Sequence, residues 1–370
     1  MIKKIIQVTI LHPRYDVRIY QKISKSLAKK YNVILLCADG KGNEIKNLIE
    51  ILDLGILKKS NFFLRILLNF RLIIKCFSLK GDCYHFHDPE LIFAGMLLRL
   101  FNYKVIFDSH EHIPDDILDK YYIPKNFRLI ISSVYALLEK FLLKFYSGLI
   151  AATPHIKDHL SKINNNTINI CNYPVLNNPK EKDKEEVQQS NNLNYICYVG
   201  AISKTRGIQE LVQALELTKN KVILNLAGNF SPASFEQELK NLPGWRHVNY
   251  LGFIKKNILM SEYSNKLGII PFLDTPNHRH AQPNKMFEYM FYKLPIACSN
   301  FNLWKSLVEN NHYGITFDSS SPHSIAKIID FFIDHPKVSK KMGENGYEAV
   351  LKKYNWNIEE QKLLSFYQKL

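Results

Sequence analysis

Along the first 176 residues, short apolar runs alternate with longer stretches whose apolar residues recur at helical spacing. "KKIIQVTIL", "NVILLCA", "CYHFHD", "KVIFDSH" and "GLIAAT" read as strands. "DVRIYQKISKSLAKK", "ELIFAGMLLRLF" and a long segment from about Asn126 to Tyr146 read as helices. Buried strands alternating with helices predict a parallel sheet covered on both faces. Ligands of such sheets bind beyond the carboxyl ends of the strands. Those ends carry His12, His87 and Asp88, Ser109 to Glu111, and Thr153.

Between Asn177 and Asn194 the pattern is lost. "NNPKEKDKEEVQQSNNLN" is polar and charged and reads as a linker or surface loop. A second alternation follows: "YICYVG", the helix "GIQELVQALELT", "VILNLAG", "VNYLGFI", the helix "ILMSEYSN", "LGIIPF" and "LPIACS". Two α/β sheets joined by a linker predict a cleft. The expected organisation is a first Rossmann-like domain over residues 1–176, a linker at 177–194, a second domain over 195–353, and a closing segment at 354–370.

The stretch "AQPNKMFEYMFYKLPIACSN" (Ala281–Asn300) adds chemistry to this pattern. Pro283 suits the first turn of a helix, whose amides have no partners within the helix. Such amides favour an anion, and Lys285 strengthens the site. Glu288, one turn further, suits hydroxyl groups beside a phosphate. The segment therefore predicts a bound nucleotide, although a surface lysine and a solvent-facing glutamate would look the same in isolation.

Composition narrows the class. A chain of 370 residues with 46% hydrophobic and 22% charged residues is globular and suggests two domains. Six scattered cysteines without a C-x-x-C pair argue against a zinc site or redox motif and fit a reduced cytoplasm. The start, "MIKKIIQVTILHP", is basic, but its apolar run is too short for a signal peptide and reads as a first strand. No uncharged apolar run reaches the roughly 18 residues of a membrane span. The excess of 49 basic over 34 acidic residues attracts polyanions: nucleic acid, anionic lipid or phosphate-bearing substrates. In "NFFLRILLNFRLIIKCFSLK", Phe62, Phe63, Ile66, Leu67, Phe70, Ile73, Ile74 and Phe77 fall on one helical face, with Arg65, Arg71 and Lys75 on the other. Such a helix either packs on the sheet or lies in a membrane interface, and Leu68 and Leu72 on the polar side favour some membrane contact.

Taken in order, these segments resemble the retaining glycosyltransferases of family 4, whose GT-B architecture has two facing Rossmann-like domains. "HPRYDVRIYQKISKSLAKKYNVILL", "HFHDPELI" and "VIFDSHEHIPDD" resemble the family's N-terminal loop and strand ends. "YVGAISKTRGIQELVQALEL", "HVNYLGFI", "QPNKMFEYMFYKLPIACSN" and "MGENGYEAVLKKYNWNIEEQKLLSFYQKL" resemble its donor domain and terminal helices. The resemblance implies that the last helix crosses back onto the first domain. It matches Glu288 to the glutamate that contacts the ribose, while the family's first glutamate falls at His280. His278, His280 or amides after Pro283 are the candidates to replace it. The diphosphate cations fall at Ala201 and Arg206; Arg206 keeps a two-pronged guanidinium grip, and Lys285 offsets the alanine.

The resemblance thus implies His110, Arg206 and Lys285 as catalytic groups, with His110 facing the transferred sugar. Gly200, Ile254, Asn284, Glu288 and His280 fall on the donor side. Asp16, Asp88 and Glu111 fall on the acceptor side, where Asp88 equally suits a structural cap before Pro89. No metal or cofactor is implied, because protein groups meet the diphosphate charge and no Asp-x-Asp pair occurs. The expected partners are a UDP- or GDP-linked sugar, a polyprenyl-diphosphate-linked or oligosaccharide acceptor, and an anionic membrane surface. The expected location is the cytoplasmic face of the membrane, and the expected role is O-antigen, capsule or exopolysaccharide synthesis. The alternatives are a GT-B-fold sugar-nucleotide epimerase, for which no acid/base set assembles, and a nucleic-acid-binding protein, for which no motif is present.

Overall fold

The computed structural model describes residues 2–55, 62–120, 123–176, 194–254 and 265–370, with the backbone alone at 62–68 and 265. The expected linker, apart from Asn194, and the expected helix "ILMSEYSN", apart from Asn265, lie outside the described residues. The chain forms two compact units. One comprises Met1–Asn172 together with Trp356–Leu370, the other Tyr173–Asn355.

Strands of the first unit are β1 (Lys4–Val8), β2 (Asn32–Cys37), β3 (Glu44–Lys46), β4 (Ile49–Asp53), β5 (Cys83–Phe86), β6 (Lys104–Ser109), β7 (Gly148–Ala151) and β8 (Thr167–Asn169). Among the described residues they lie in the order β3-β4-β2-β1-β5-β6-β7-β8. All neighbours are parallel except the β3–β4 hairpin. The strand order reverses at β1, which sits between β2 and β5, so their carboxyl ends form a ligand-binding crevice. The second unit has β9 (Asn194–Val199), β10 (Val222–Ala227), β11 (Val248–Gly252), β12 (Asn265–Ile270), β13 (Ile296–Ser299) and β14 (Gly314–Phe317). Their order, β11-β10-β9-β12-β13-β14, is parallel throughout and reverses at β9.

Strand alternation divides the first sheet into two unlike faces. Ile6, Val8, Tyr84, Phe86, Val105 and Phe107 join an apolar core with Leu72, Cys76, Leu91, Ile92 and Leu98. Gln7, His85, His87 and Asp108 emerge on the opposite face, all of them buried. A chain of hydrogen bonds links them and leaves only His85 Nε2, among their side-chain atoms, buried without a partner. Arg18, on a π-type helix (Val17–Ser24), grips Asp108 with two nitrogens at 2.8 and 2.7 Å and donates a third bond to the Ile170 carbonyl at 2.8 Å. His87 Nε2 donates to Gln7 Oε1 at 2.6 Å, and Gln7 Nε2 donates to His85 Nδ1 at 3.2 Å. That nitrogen also accepts the Tyr367 hydroxyl at 2.7 Å.

Tyr367 belongs to the last helix (Trp356–Lys369), which completes the first unit. Trp356 Nε1 donates to Ser26 Oγ at 3.0 Å. The fully buried Glu359 accepts from the Cys171 amide and from Lys362 Nζ, both at 2.7 Å.

Replacing Glu359 by Ala strands the Cys171 amide in the interior. Urea denaturation should show a loss of about 1–3 kcal/mol, the cost of an unsatisfied buried donor. Burial pushes the His87 imidazole down to about 4, against the pull of Asp108, and burial also lowers His85. Histidines depressed in the folded state contribute stability that is full above their unfolded value near 6.5 and lost as the pH falls below it. The melting temperature should therefore drop from about pH 6.5 toward pH 4, and His87→Gln should flatten that slope.

Candidate functional site

In the second unit the site is built at the reversal point, where β9 and β12 end. Gly200 follows β9 with φ of 133°, and Gly228 follows β10 with φ of 147°. A Cβ on Gly228 would stand 1.8 Å from the Gly200 carbonyl oxygen, so the two strand ends are pressed together at a distance only glycine allows. A Cβ on Gly200 would lie 2.9 Å from Lys285 Nζ. That ammonium sits 3.7 Å from the centroid of the Tyr198 ring and 5.0 Å from that of Phe272. The Arg206 guanidinium carbon lies 4.0 Å from the same Phe272 ring. The Arg206 loop is held there because the Leu273 amide donates to the Thr205 carbonyl at 2.9 Å.

Two cations thus share one buried aromatic ring. The ring faces attract each of them, and an anion bound near both would offset their mutual repulsion. The helix Asn284–Phe291 starts at the same place. Pro283 is its N-cap, with φ of −66° and ψ of 128°, and its ring offers no side-chain cap to the first amides. Met286, Phe287, Tyr289 and Met290 bury one helix face, leaving Asn284, Lys285 and Glu288 half-buried on the other. Tyr289 fixes the helix to β9: its hydroxyl accepts the Val199 amide at 3.2 Å and donates to the Cys197 carbonyl at 3.4 Å.

The structure therefore brings Gly200, Arg206, Asn284, Lys285 and Glu288 to one end of one sheet. Ile254 follows β11 at the carboxyl end of that sheet. His280 is exposed at the end of a short helix (Pro276–His280), whereas His278 is buried, 4.7 Å from Phe272 between ring centroids, and donates from Nδ1 to the Leu273 carbonyl at 2.9 Å. Ala201, at the position of the missing cation, is exposed.

In the first unit a second set of polar groups meets at the ends of β1, β5 and β6. His110 Nε2 lies 3.2 Å from Asp108 Oδ2 and 3.4 Å from His87 Nδ1. His12 stands beside it, with ring centroids 5.0 Å apart, and its Nδ1 is 2.8 Å from Asp88 Oδ1. Burial opposes the charge on Asp108, but Arg18 and then His110 outweigh it and hold the carboxyl well below its usual range. Burial likewise opposes the charges on His12 and Asp88, yet their mutual hydrogen bond and attraction raise the first and lower the second. Each half-exposed imidazole is thus backed by a buried carboxylate that fixes its orientation. Such a pair can donate hydrogen bonds to hydroxyl or phosphate oxygens.

Two acceptor-side expectations take a different form. Asp88 makes no side-chain cap on the turn Pro89–Leu91. Instead it is fully buried, accepting from the amides of Ile10 at 2.5 Å and Leu11 at 3.1 Å and from Thr9 Oγ1 at 3.0 Å, so it braces the loop after β1. Asp16 caps the Val17–Ser24 helix, accepting from the amides of Arg18 and Ile19 at 2.8 and 2.9 Å. Glu111 is exposed, and its carbonyl accepts Ser109 Oγ at 2.8 Å. From the sequence His12 is singled out only as a residue at a strand end, and Asp108 and Arg18 not at all. The signal for Asp108 was a carboxylate inside the apolar run "KVIFDSH", where only a paired charge is stable.

Residues 179–349 match the family model described as glycosyl transferases group 1, and residues 17–170 that described as glycosyltransferase family 4. A capsular polysaccharide biosynthesis glycosyltransferase, CapM of Staphylococcus aureus, is 26% identical over 195 residues, which is 52% of this chain and 50% of that protein. The chain spans about half the length of the curated relatives it matches. The fold is that of a sucrose-phosphate synthase from Thermosynechococcus elongatus, with a TM-score of 0.76, 15% identity, and coverage of 99% of this chain and 98% of that one. It is also that of Anabaena Alr3699/HepE, solved in complex with UDP and glucose, with a TM-score of 0.74 and 15% identity over 100% of both chains. Two successive parallel sheets, each matched by its own glycosyltransferase model, place this chain in glycosyltransferase family 4, with the GT-B fold.

Proposed function

We propose that this protein moves a sugar, with retention of anomeric configuration, from a nucleoside-diphosphate donor to a lipid-linked or oligosaccharide acceptor during assembly of a bacterial surface polysaccharide. The sugar would be a hexose or N-acetylhexosamine. The observation that carries this reading is the placing of Arg206 and Lys285 on one Phe272 ring beside the start of the helix Asn284–Phe291. Its likeness to a capsular enzyme supports the polysaccharide role.

In the proposed reaction the bond from the anomeric carbon to the diphosphate breaks, and a bond to the acceptor oxygen forms on the same face. The acceptor proton passes to a leaving diphosphate oxygen. Arg206, Lys285 and the first amides of the Asn284–Phe291 helix stabilise the charge that grows on that diphosphate, which lowers the barrier more than a strong base would. Glu288 takes the ribose hydroxyls. His110, held by Asp108, serves the transferred sugar.

We place the membrane contact on the helix Lys125–Leu142 and its neighbours. Phe127, Leu129, Ile130, Ile131, Val134, Leu137 and Phe141 are all exposed there. Lys125, Lys140 and Lys144 are exposed around them. The helix Phe62–Leu79 contributes less than its sequence suggests. Leu72, expected on its polar side, is buried with Cys76, while Ile73 and Phe77 pack against the core and Phe70 and Ile74 remain exposed. An apolar stripe flanked by lysines on a chain of net charge +15 fits an anionic lipid surface.

Lys285→Met and Glu288→Ala should each weaken UDP binding by about 1–3 kcal/mol, the cost of losing a charged hydrogen-bond partner. Calorimetric titration with UDP reads this, and an unchanged Kd in both variants would remove the assignment. Phe127→Ser combined with Leu137→Ser should abolish flotation with phosphatidylglycerol vesicles. Lys140→Glu with Lys144→Glu should weaken it in a salt-dependent way, by roughly 1 kcal/mol per basic residue lost. Because these side chains are exposed, melting temperature and UDP affinity should not change; flotation equal to that of the parent would sink the membrane assignment.

A further inference from the structure

Three histidines gather where the loop after β6 meets the helix Pro154–Ser161, in a place the proposed transfer does not use. His112 immediately precedes the helix Ile113–Asp119, and Asp115 lies in that helix's first turn. His155 and His159 stand four residues apart on the helix Pro154–Ser161, which puts both on one face. One ligand atom each from His112, Asp115 and His155 lies within 4.8 Å of the other two. The His112 ring stands edge-on to both neighbours, with centroids 5.4 Å from His155 and 4.6 Å from His159. His159 Nε2 is 2.8 Å from a carboxylate oxygen of Glu139, itself buried.

The arrangement at His112 is not that of an ordinary ion pair. Its Nδ1 is 2.8 Å from Asp115 Oδ2, yet the nitrogen is buried and makes no aligned hydrogen bond. Other clusters of potential ligands are already committed. Asp108 is gripped by Arg18, with His85 and His87 joined through Gln7. Asp39, near Cys37 and Asp53, is gripped by Arg14.

We infer that His112, Asp115 and His155 form a zinc site, with His159 or water as the fourth ligand. Two or three imidazoles and one carboxylate suit Zn²⁺ and not Mg²⁺ or Ca²⁺, which prefer all-oxygen shells. Ligand bonds of about 2.0–2.2 Å set tetrahedral ligand atoms roughly 3.4 Å apart. The side chains would therefore move by about an ångström, within rotamer adjustment. Glu139 would orient His159 from outside the ligand shell, as carboxylates commonly do for metal-bound imidazoles. The metal would pin the loop that carries His110 and Glu111 to the helix that follows β7. Cysteine spacing carries no sign of such a site because no cysteine takes part.

The test uses the full, untagged chain, stripped with chelator, desalted and titrated with zinc sulfate in equilibrium dialysis. All six cysteines are buried, so thiolates of the folded protein do not obscure the result. One zinc per chain is expected, with a rise in melting temperature on addition of zinc. Cobalt in its place should give the strong visible absorption of a tetrahedral site. His112→Ala and His155→Ala should abolish both effects, and Glu139→Gln should weaken binding by about 10–100-fold. The exposed His323→Ala is the control and should bind as the parent does. If an alanine variant fails to fold, Asp115→Asn answers the same question. Absence of stoichiometric binding, or binding that survives Asp115→Asn and His155→Ala alike, overturns the site.

Discussion

The first unit depends on the ion pair between Arg18 and Asp108. A carboxylate in the middle of a parallel sheet is unstable unless its charge is met, because its desolvation costs several kcal/mol. Arg18 meets it with two nitrogens and spends its third on a strand-end carbonyl. The same ionised carboxylate then receives His110, so one buried pair both permits the polar face of the sheet and aims an imidazole out of it. Asp16, by capping the helix that carries Arg18, stands behind the pair in turn.

The second unit solves a different problem, which is to concentrate positive charge without burying it. Tyr198 and Phe272 offer ring faces at the reversal point of the sheet, the missing side chain of Gly200 leaves room for Lys285, and Gly228 lets the two strand ends close up. Rings hold cations weakly enough that a stronger partner can engage them. The two units thus differ in the kind of polarity they carry: one pairs its buried charge internally, the other presents half-buried cations at the end of its sheet.

Much of this was legible in the chain. Alternating strands and helices predict the two parallel sheets, and Pro283 predicts the helix that starts at Asn284. Arg206 was reached only through the family resemblance. Asp108 escaped because its partner lies ninety positions upstream on another element, and no local pattern links the two. Periodicity alone left the Phe62–Leu79 helix open between packing on the sheet and membrane contact, and it placed Leu72 on the wrong side. Its wheel divides apolar from basic residues, but the helix packs through the Leu72 and Cys76 stripe, since those residues face the sheet and its neighbouring helix. The more exposed apolar helix, Lys125–Leu142, is amphipathic too, but a sequence does not say which side of a helix has no neighbour.

The return of the last helix to the first unit has a consequence for how the chain matures in the cell. Domains emerge from the ribosome in order, N-terminal first. Here the buried bonds from Trp356, Glu359 and Tyr367 to the first unit can form only after every residue of the second unit has been synthesised. Until then the Gln7–His85 side of the sheet lacks its cover, and its histidines are open to water. The second unit, continuous in sequence, waits for nothing. Biosynthesis therefore inverts the expected order: the domain that is begun first is the one finished last.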